Sequence, residues 1–223
     1  MTQLHRERCD LTYEGAFSKP VFTLGDSPGR VCDFLLEALA AFGCTAADLE
    51  FEEGEPDQRG VTCNLDELDA RVTIHGDRIE IHCTNFASGS VAGVATVLAD
   101  VWSGLAGLNT GAAAKTHSFL FEADAEIRGS SYQEVMNRLA SVPQSLPGGT
   151  ETAVVYYLPA EHPKGHGESS LVHNRSAEVE GGLQVNATLV YEAGSVQPAA
   201  AISAAHRRLD ELLRDLGLQW TEG

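Results

Sequence analysis

Residues 71–83, RVTIHGDRIEIHC, decide the fold that this sequence predicts. Two short runs rich in β-branched residues flank Gly76-Asp77, a pair typical of a two-residue hairpin turn. This turn pairs four aliphatic residues on one face of the hairpin, with Ile74 opposite Ile79 and Val72 opposite Ile81. The aliphatic face is expected to join a core. The other, polar face then carries Thr73, His75, Arg78, Glu80 and His82.

The rest of the first half places this hairpin between two helices. Asp26-Ser27-Pro28 is a helix-start signal and Gly43 a helix stop. Residues 61–65 alternate as a strand before the hairpin, and apolar residues at helical spacing follow it from Val91 to Leu105. Residues 1–16 have weak patterning and predict an added edge strand or a loose arm. Val21, Phe22 and Leu24 predict a short strand before the first helix.

The second half gives the same order of elements. Residues 119–127 alternate between an apolar and a mostly acidic face, and Ser131 and Glu134 form a capping box that opens a helix. The continuous apolar run 153–158 predicts a central strand, and 170–179 and 183–191 predict two more. A last helix is expected between Pro198 and Gly217. Both halves therefore have the order strand, helix, three strands, helix.

These patterns predict an α+β fold of two βαβββα-like units, residues 1–110 and 111–223, or one continuous domain that contains both. The alternating strands favour antiparallel sheets with helices packed on one face. The repeated order favours an intramolecular pseudo-dimer. The hairpin is expected to lie at the centre of its unit, near the strand 183–191 of the other unit.

Charge and cysteine content limit the function. The net charge is −17, which argues against nucleic acid and anionic membranes as partners and favours solubility or a basic protein partner. The absence of a secretory signal and of a long apolar run makes the cytoplasm the expected location. The five cysteines are odd in number and none forms a CxxC pair, so structural thiols are expected.

The segment 161–173, EHPKGHGESSLVH, is the best candidate for a metal site. His162, His166 and His173 lie close together in sequence, and imidazoles at short spacing can bind zinc. Pro163 and nearby glycines oppose a helix, so the segment is expected to be a loop. The alternative is a solvated loop without a metal, since the spacing matches no zinc signature.

Two further sets of residues are candidates for binding. One is the polar face of the hairpin, with His75, Arg78, Glu80 and His82, although exposed strands often carry such side chains without a function. The other is the acidic segment 48–57, predicted to be a surface loop. Its carboxylates are Asp48, Glu50, Glu52, Glu53, Glu55 and Asp57.

No motif here specifies a reaction, and three functions remain open. The first is a non-catalytic acidic binding protein that needs no cofactor and engages a basic protein partner, in the manner of an immunity protein or antitoxin, or forms a homo-oligomer. The second is a zinc-dependent hydrolase that uses His162, His166 and His173. The third is a small-ligand sensor with a cavity between the two units.

Overall fold

The longest strand of the protein runs through the middle of a single large sheet. A computed structural model describes residues 1–21, 28–52, 59–108, 111–140, 152–158, 169–194 and 196–221, with the side chain of Glu52 left out. Within these residues the chain is mixed α+β, with ten strands and four α-helices. The strands pair antiparallel except for the last, which pairs parallel with the first.

Most elements follow the predicted order, but the strands Leu49–Glu52 and Leu218–Thr221 were not predicted, and the short strand predicted at residues 21–24 lies outside the described residues except for Val21. The strands are β1 (Thr2–Phe17), β2 (Leu49–Glu52), β3 (Gly60–Leu65), β4 (Ala70–His75), β5 (Arg78–Cys83), β6 (Ala114–Arg128), β7 (Val154–Tyr157), β8 (Ser170–Arg175), β9 (Leu183–Glu192) and β10 (Leu218–Thr221). The helices are α1 (Pro28–Ala38), α2 (Val91–Gly107), α3 (Tyr132–Leu139) and α4 (Pro198–Asp215).

The strand order is β2-β3-β4-β5-β1-β6-β9-β8-β7, with β10 paired to β1. The predicted hairpin is confirmed in register, with Ile74 opposite Ile79 and Val72 opposite Ile81. Within the first half it lies at the centre, as predicted, because β3 flanks β4 on one side and β1 flanks β5 on the other. The prediction that it lies near the strand 183–191 is wrong, because β1 and β6 separate the hairpin from β9.

Two other strand predictions are also wrong. Residues 1–16 form neither an edge strand nor a loose arm, because β1 pairs with β6 along almost its whole length and with β5 over Leu11–Ala16. The apolar run 153–158 forms β7 at one end of the sheet and not a central strand. Two of its side chains, Val155 and Tyr157, are exposed.

Helix ends agree with the local signals that predicted them. Ser131 accepts a hydrogen bond from the backbone N–H of Glu134, whose side chain accepts one from the Ser131 N–H, so the capping box of α3 is confirmed. Pro198 begins α4, and Gly217 ends it with φ +72°. After α1, a 3₁₀ turn at Ala40–Phe42 closes on Gly43, at φ 76°.

The core lies between the helices and one face of the sheet. Residues facing it alternate along β6 and β9 with residues on the other face, which is termed the open face below. Trp102 of α2 packs edge-on against Phe17, and His206 of α4 packs edge-on against Phe121. The stretch Ser88–Gly107 is long and apolar enough to cross a membrane, a property that core helices share. Its buried residues are Val94, Val97, Leu98, Val101 and Leu105.

Close contact between α1 and α2 requires a glycine. A Cβ atom built on Gly104 would lie 2.2 Å from Cε2 of the buried Phe34. We expect G104A to lower the free energy of unfolding by roughly 1–3 kcal/mol, since added volume in a packed interface forces neighbouring side chains to shift. Chemical denaturation measures this change.

The matched control is G29A in α1, where a Cβ atom would meet nothing within 4 Å. This variant should be unchanged or slightly more stable, because alanine is the better helix former. Equal effects of the two substitutions would contradict the packing described for Gly104.

Candidate functional site

The polar face of the hairpin belongs to the open face of the sheet. Arg78 and Glu80 are partly exposed and joined by a hydrogen bond of 2.5 Å, and His82 is exposed, with Nδ1 3.1 Å from the hydroxyl of Thr12. These three predicted residues therefore share one accessible surface with strand β1. That they bind a partner stays a prediction.

His75 lies on the same face, but the expectation that it would be solvated is wrong. Its exposed fraction is 5%, and Thr73 and Thr62 beside it are also buried. The neighbouring position on β3 is Gly60, where a Cβ atom would come within 3.0 Å of His75 Nδ1. Strand alternation gave the correct face for His75, but it could not give the packing above that face.

At the centre of the open face, arginines and carboxylates form cross-linked pairs. Arg8 donates to Asp10, Arg78 to Glu80, and Arg128 to Glu126. A fourth carboxylate, Asp124, is buried and accepts a 2.6 Å hydrogen bond from Ser176. Each arginine on the open face of β1, β5 and β6 is therefore hydrogen-bonded to a carboxylate.

Two exposed carboxylates on the central strands have no such partner among the described residues. Glu14 of β1 lies directly opposite Glu80, and Glu122 of β6 lies directly opposite Asp10. Like charges at opposed positions repel one another. The strand rise places Glu14 and Glu122 about 13 Å apart along the central pair of strands. The sequence predicted the acidic face of β6 and therefore the position of Glu122. Because residues 1–16 have weak patterning, it did not predict that Glu14 lies on the same face.

The open face also carries exposed apolar side chains toward its β7 edge. The exposed fractions of Tyr157 and Val155 are 85% and 45%. Val155 continues across the sheet through Val172 and Asn186 to Glu122. The face therefore combines an acidic centre with an aromatic and aliphatic margin. The sequence did not predict this margin, because the run 153–158 was expected to form a central strand with buried side chains.

The first residues of the acidic segment 48–57 form the end of a 3₁₀ turn and a strand. Leu49–Glu52 form β2, paired with β3, so the prediction of a loop is wrong for those residues. Asp48 caps the preceding turn by accepting hydrogen bonds from the N–H and hydroxyl of Thr45, which lower the pKa of Asp48. Glu50 accepts from Asn64. The side chain of Glu52 and all of Glu53, Glu55 and Asp57 lie outside the described residues.

Residues 170–173 of the predicted metal segment belong to a strand and not to a loop. His173 lies within β8 on the core-facing side, with an exposed fraction of 0% and with neither ring nitrogen hydrogen-bonded. His162 and His166 lie outside the described residues, so zinc binding stays a prediction. In the part of the chain that is described, no group of three potential ligands gathers around one point.

A second buried histidine is fully integrated into the core. His117 Nδ1 lies 2.8 Å from the hydroxyl of Tyr13, which accepts a 2.9 Å hydrogen bond from the indole N–H of Trp102. Burial lowers the pKa of His117 to about 4, so the ring is neutral at pH 7 and Tyr13 donates to it. This chain links β1, β6 and α2.

All five cysteines are free and buried: Cys9, Cys32, Cys44, Cys63 and Cys83. Burial raises the pKa of Cys9 to about 11 and that of Cys83 to about 12. Protonated, buried thiols are poor nucleophiles and metal ligands. The expectation of free, buried thiols is therefore confirmed.

A cleft lies beside the central strand, and residues of both halves of the chain line it. It is lined by β1 around Arg6, by residues 85–89 after β5, and by Trp220 of β10. Arg6 lies 4.8 Å above the ring of Trp220. These two residues are more than 200 positions apart in the chain, so no local motif could have indicated the site.

Comparison with known proteins finds a structural likeness at low sequence identity. No protein-family model matches this sequence, and no curated protein matches it. Among solved structures, Methanococcus jannaschii TBP is similar with a TM-score of 0.29 and 11% sequence identity, over 96% of this chain and 98% of that chain. The fold described above rests on the strand pairing alone.

The buried histidines predict a loss of stability in acid. Burial lowers the pKa of both His117 and His173 to about 4, against about 6.5 for an unfolded histidine. The unfolded chain therefore binds more protons between these values, and the free energy of unfolding should fall as the pH drops from about 6.5 to about 4. Denaturation at a series of pH values measures this fall.

Substitutions of His173 and His117 distinguish the contributions of the two residues to stability. H173L should leave stability at pH 7 unchanged or raised, because no hydrogen bond is lost, and should reduce the acid-induced loss by about 3 kcal/mol. H117L should instead be destabilising at pH 7, because Tyr13 loses a buried partner. An undiminished pH dependence in H173L would contradict the burial of that ring.

Proposed function

We propose that this chain is a non-catalytic, cytoplasmic binding protein whose open face docks a basic protein partner. The observation that carries the proposal is the pair of uncompensated carboxylates, Glu14 and Glu122, each opposed to another carboxylate. Cationic side chains of a partner would relieve this repulsion. Their attraction would also steer association.

The apolar margin favours a protein over a small cation. Tyr157 and Val155 are exposed on the same face as the carboxylates, and exposed aromatic residues are enriched at protein interfaces. A second copy of this chain is disfavoured on this face, because a two-fold contact would bring the acidic face of one copy against the acidic face of the other. Nucleic acid is disfavoured by the same charges.

Substitution of the two carboxylates tests the docking face. We expect E14Q/E122Q to weaken binding of a lysine decamer about tenfold, because two unpaired charges are removed from the contact surface. Fluorescence anisotropy of the labelled peptide, measured at low and at physiological salt, reports the affinity. Binding of the unaltered protein should weaken as salt rises.

The control variant D33N/D215N makes the same change in net charge on the helices, where both residues are exposed. It should retain most of the affinity. Equal weakening in both variants would mean that net charge alone attracts the peptide, and would overturn the open face as the docking surface.

We further propose that the two halves are equivalent units related as an intramolecular pseudo-dimer. The strand order β3-β4-β5-β1 of the first half is matched by β7-β8-β9-β6 in the second. Helices follow the same positions, with α1 and α3 after the first strand and α2 and α4 after the last. The β1–β6 pair would be the pseudo-symmetric junction, while β2 and β10 are additions to the repeat.

A circular permutant tests whether each half is a continuous unit. β10 pairs parallel with the first residues of β1 and places Thr221 opposite His5, so a glycine-serine linker can join the ends. A chain opened between residues 110 and 111 should fold and unfold in one cooperative transition, as followed by circular dichroism. Loss of cooperative unfolding would contradict the proposed division.

A further inference from the structure

The cleft beside β1 arises because two strands share one edge of β1 without meeting. β10 pairs with Thr2–His5 and β5 with Leu11–Ala16, while β6 occupies the other edge. Residues 6–10 between these two pairings face the segment that follows β5, whose Phe86 N–H donates to Cys9 O at 2.6 Å. A cavity of about 350 Å³ lies at this gap.

A bulge in β1 gives this gap its chemistry. The register against β6 shifts between Arg6, opposite Ala125, and Arg8, opposite Asp124. Glu7 is the extra residue, so Arg6 shares the helix-facing side with buried Ala125, whereas Arg8 turns to the open face. Bulges of this kind re-aim side chains, often beside functional sites.

Both halves of the chain contribute walls. The first half provides Arg6 and Ser88, which also line an adjoining cavity of about 250 Å³. The second half provides Arg214 at the end of α4 and Trp220 on β10. A ligand held here would contact both halves at once.

The cleft contains more hydrogen-bond donors than acceptors that pair with them. Arg6 stacks on Trp220 and makes one long hydrogen bond, 3.4 Å, to Phe86 O, which leaves most of its five donors available. The indole Nε1 of Trp220 is buried and makes no hydrogen bond. Arg214 is exposed and is in no ion pair with the described residues.

Arg6 and Arg214 form no ion pair with the acids that line the cleft, Glu7 and Asp210, among the described residues. Glu7 lies 3.7 Å from His5, and Asp210 lies 3.8 Å from His206. Arg8 is held by Asp10. Arg6 and Arg214 therefore present positive charge without a carboxylate partner in the described chain, on a protein of net charge −17.

We propose that this cleft binds a small molecule through a phosphate or carboxylate group, held by Arg6 and Arg214 beside the aromatic wall that Trp220 forms. Guanidinium groups prefer such oxyanions, with which they form charge-assisted hydrogen bonds. Arg214 and Trp220 line the smaller of the two adjoining cavities, and together the two cavities reach the volume of small-molecule sites. Arg6 and Trp220 lie on the helix-facing side of the sheet, whereas the acidic centre lies on the open face, so this site is distinct from the proposed docking surface.

Nuclear magnetic resonance of the two indole N–H groups tests the proposal directly. The protein has two tryptophans, and spectra of W102F and W220F assign their signals. Inorganic phosphate and acetate are titrated separately, with chloride at matched ionic strength. We expect the Trp220 signal to shift and saturate with phosphate, with acetate or with both, and the stronger probe identifies the group that the site prefers.

Charge variants locate the binding. R214Q should weaken binding of the anion that binds more tightly by roughly tenfold. Because Arg214 is exposed, this substitution removes no core contact. R6Q should weaken it at least as much. R207Q, an exposed arginine of α4 outside the cleft, should leave affinity unchanged. A Trp220 response to chloride alone, no saturation with either oxyanion, or equal weakening in R207Q would overturn the proposal.

Discussion

The antiparallel pairing of β1 with β6 is the constraint on which the rest of the structure depends. It joins the two halves of the described sheet. The strands β5, β4, β3 and β2 extend from β1, and the strands β9, β8 and β7 extend from β6. Its core-facing side carries Tyr13 and Phe119 in contact, with ring centroids 5.2 Å apart. The same two strands hold Tyr13 against His117. Helix α2 reaches this pair through Trp102.

That hydrogen-bonded chain also explains a glycine in the central strand. A Cβ atom on Gly15 would lie 2.3 Å from the hydroxyl of Tyr13 and 2.7 Å from Cζ2 of Trp102. The side-chain layer is therefore fitted around a polar contact inside an apolar core. Such a contact stabilises the fold only while each member has a partner, because an unpaired buried hydroxyl or indole N–H is costly.

Local signals predicted the elements well and the sheet order poorly. The hairpin was predictable in register because its turn and its alternation agree. β1 was not, because the bulge at Glu7 shifts the helix-facing positions from Leu4 and Arg6 to Cys9 and Leu11, and strict alternation fails across it. The apolar run of β7 did not distinguish a central strand from an edge. A run of this kind indicates a strand but not its neighbours.

The candidate sites were predictable only where they follow from one strand at a time. Glu80 and His82 could be placed on a polar face from alternation alone, and Glu122 from the acidic face of β6. Opposed carboxylates such as Glu14 and Glu80 require the pairing of two strands that are distant in sequence. The cleft requires still more, because Arg6 and Trp220 meet only when β10 returns to pair with the first residues of the chain.

One irregularity in β1 separates the two proposed binding surfaces. Without the bulge at Glu7, strict alternation would place Arg6 and Arg8, which are two positions apart, on the same face of the sheet. With it, Arg6 turns toward Trp220 while Arg8 turns to the open face and pairs with Asp10. Arg8 partly offsets the repulsion between Asp10 and Glu122, and Arg6 supplies positive charge to the cleft. The bulge is therefore the local feature through which a single strand presents an acidic surface on one side and a basic cleft on the other.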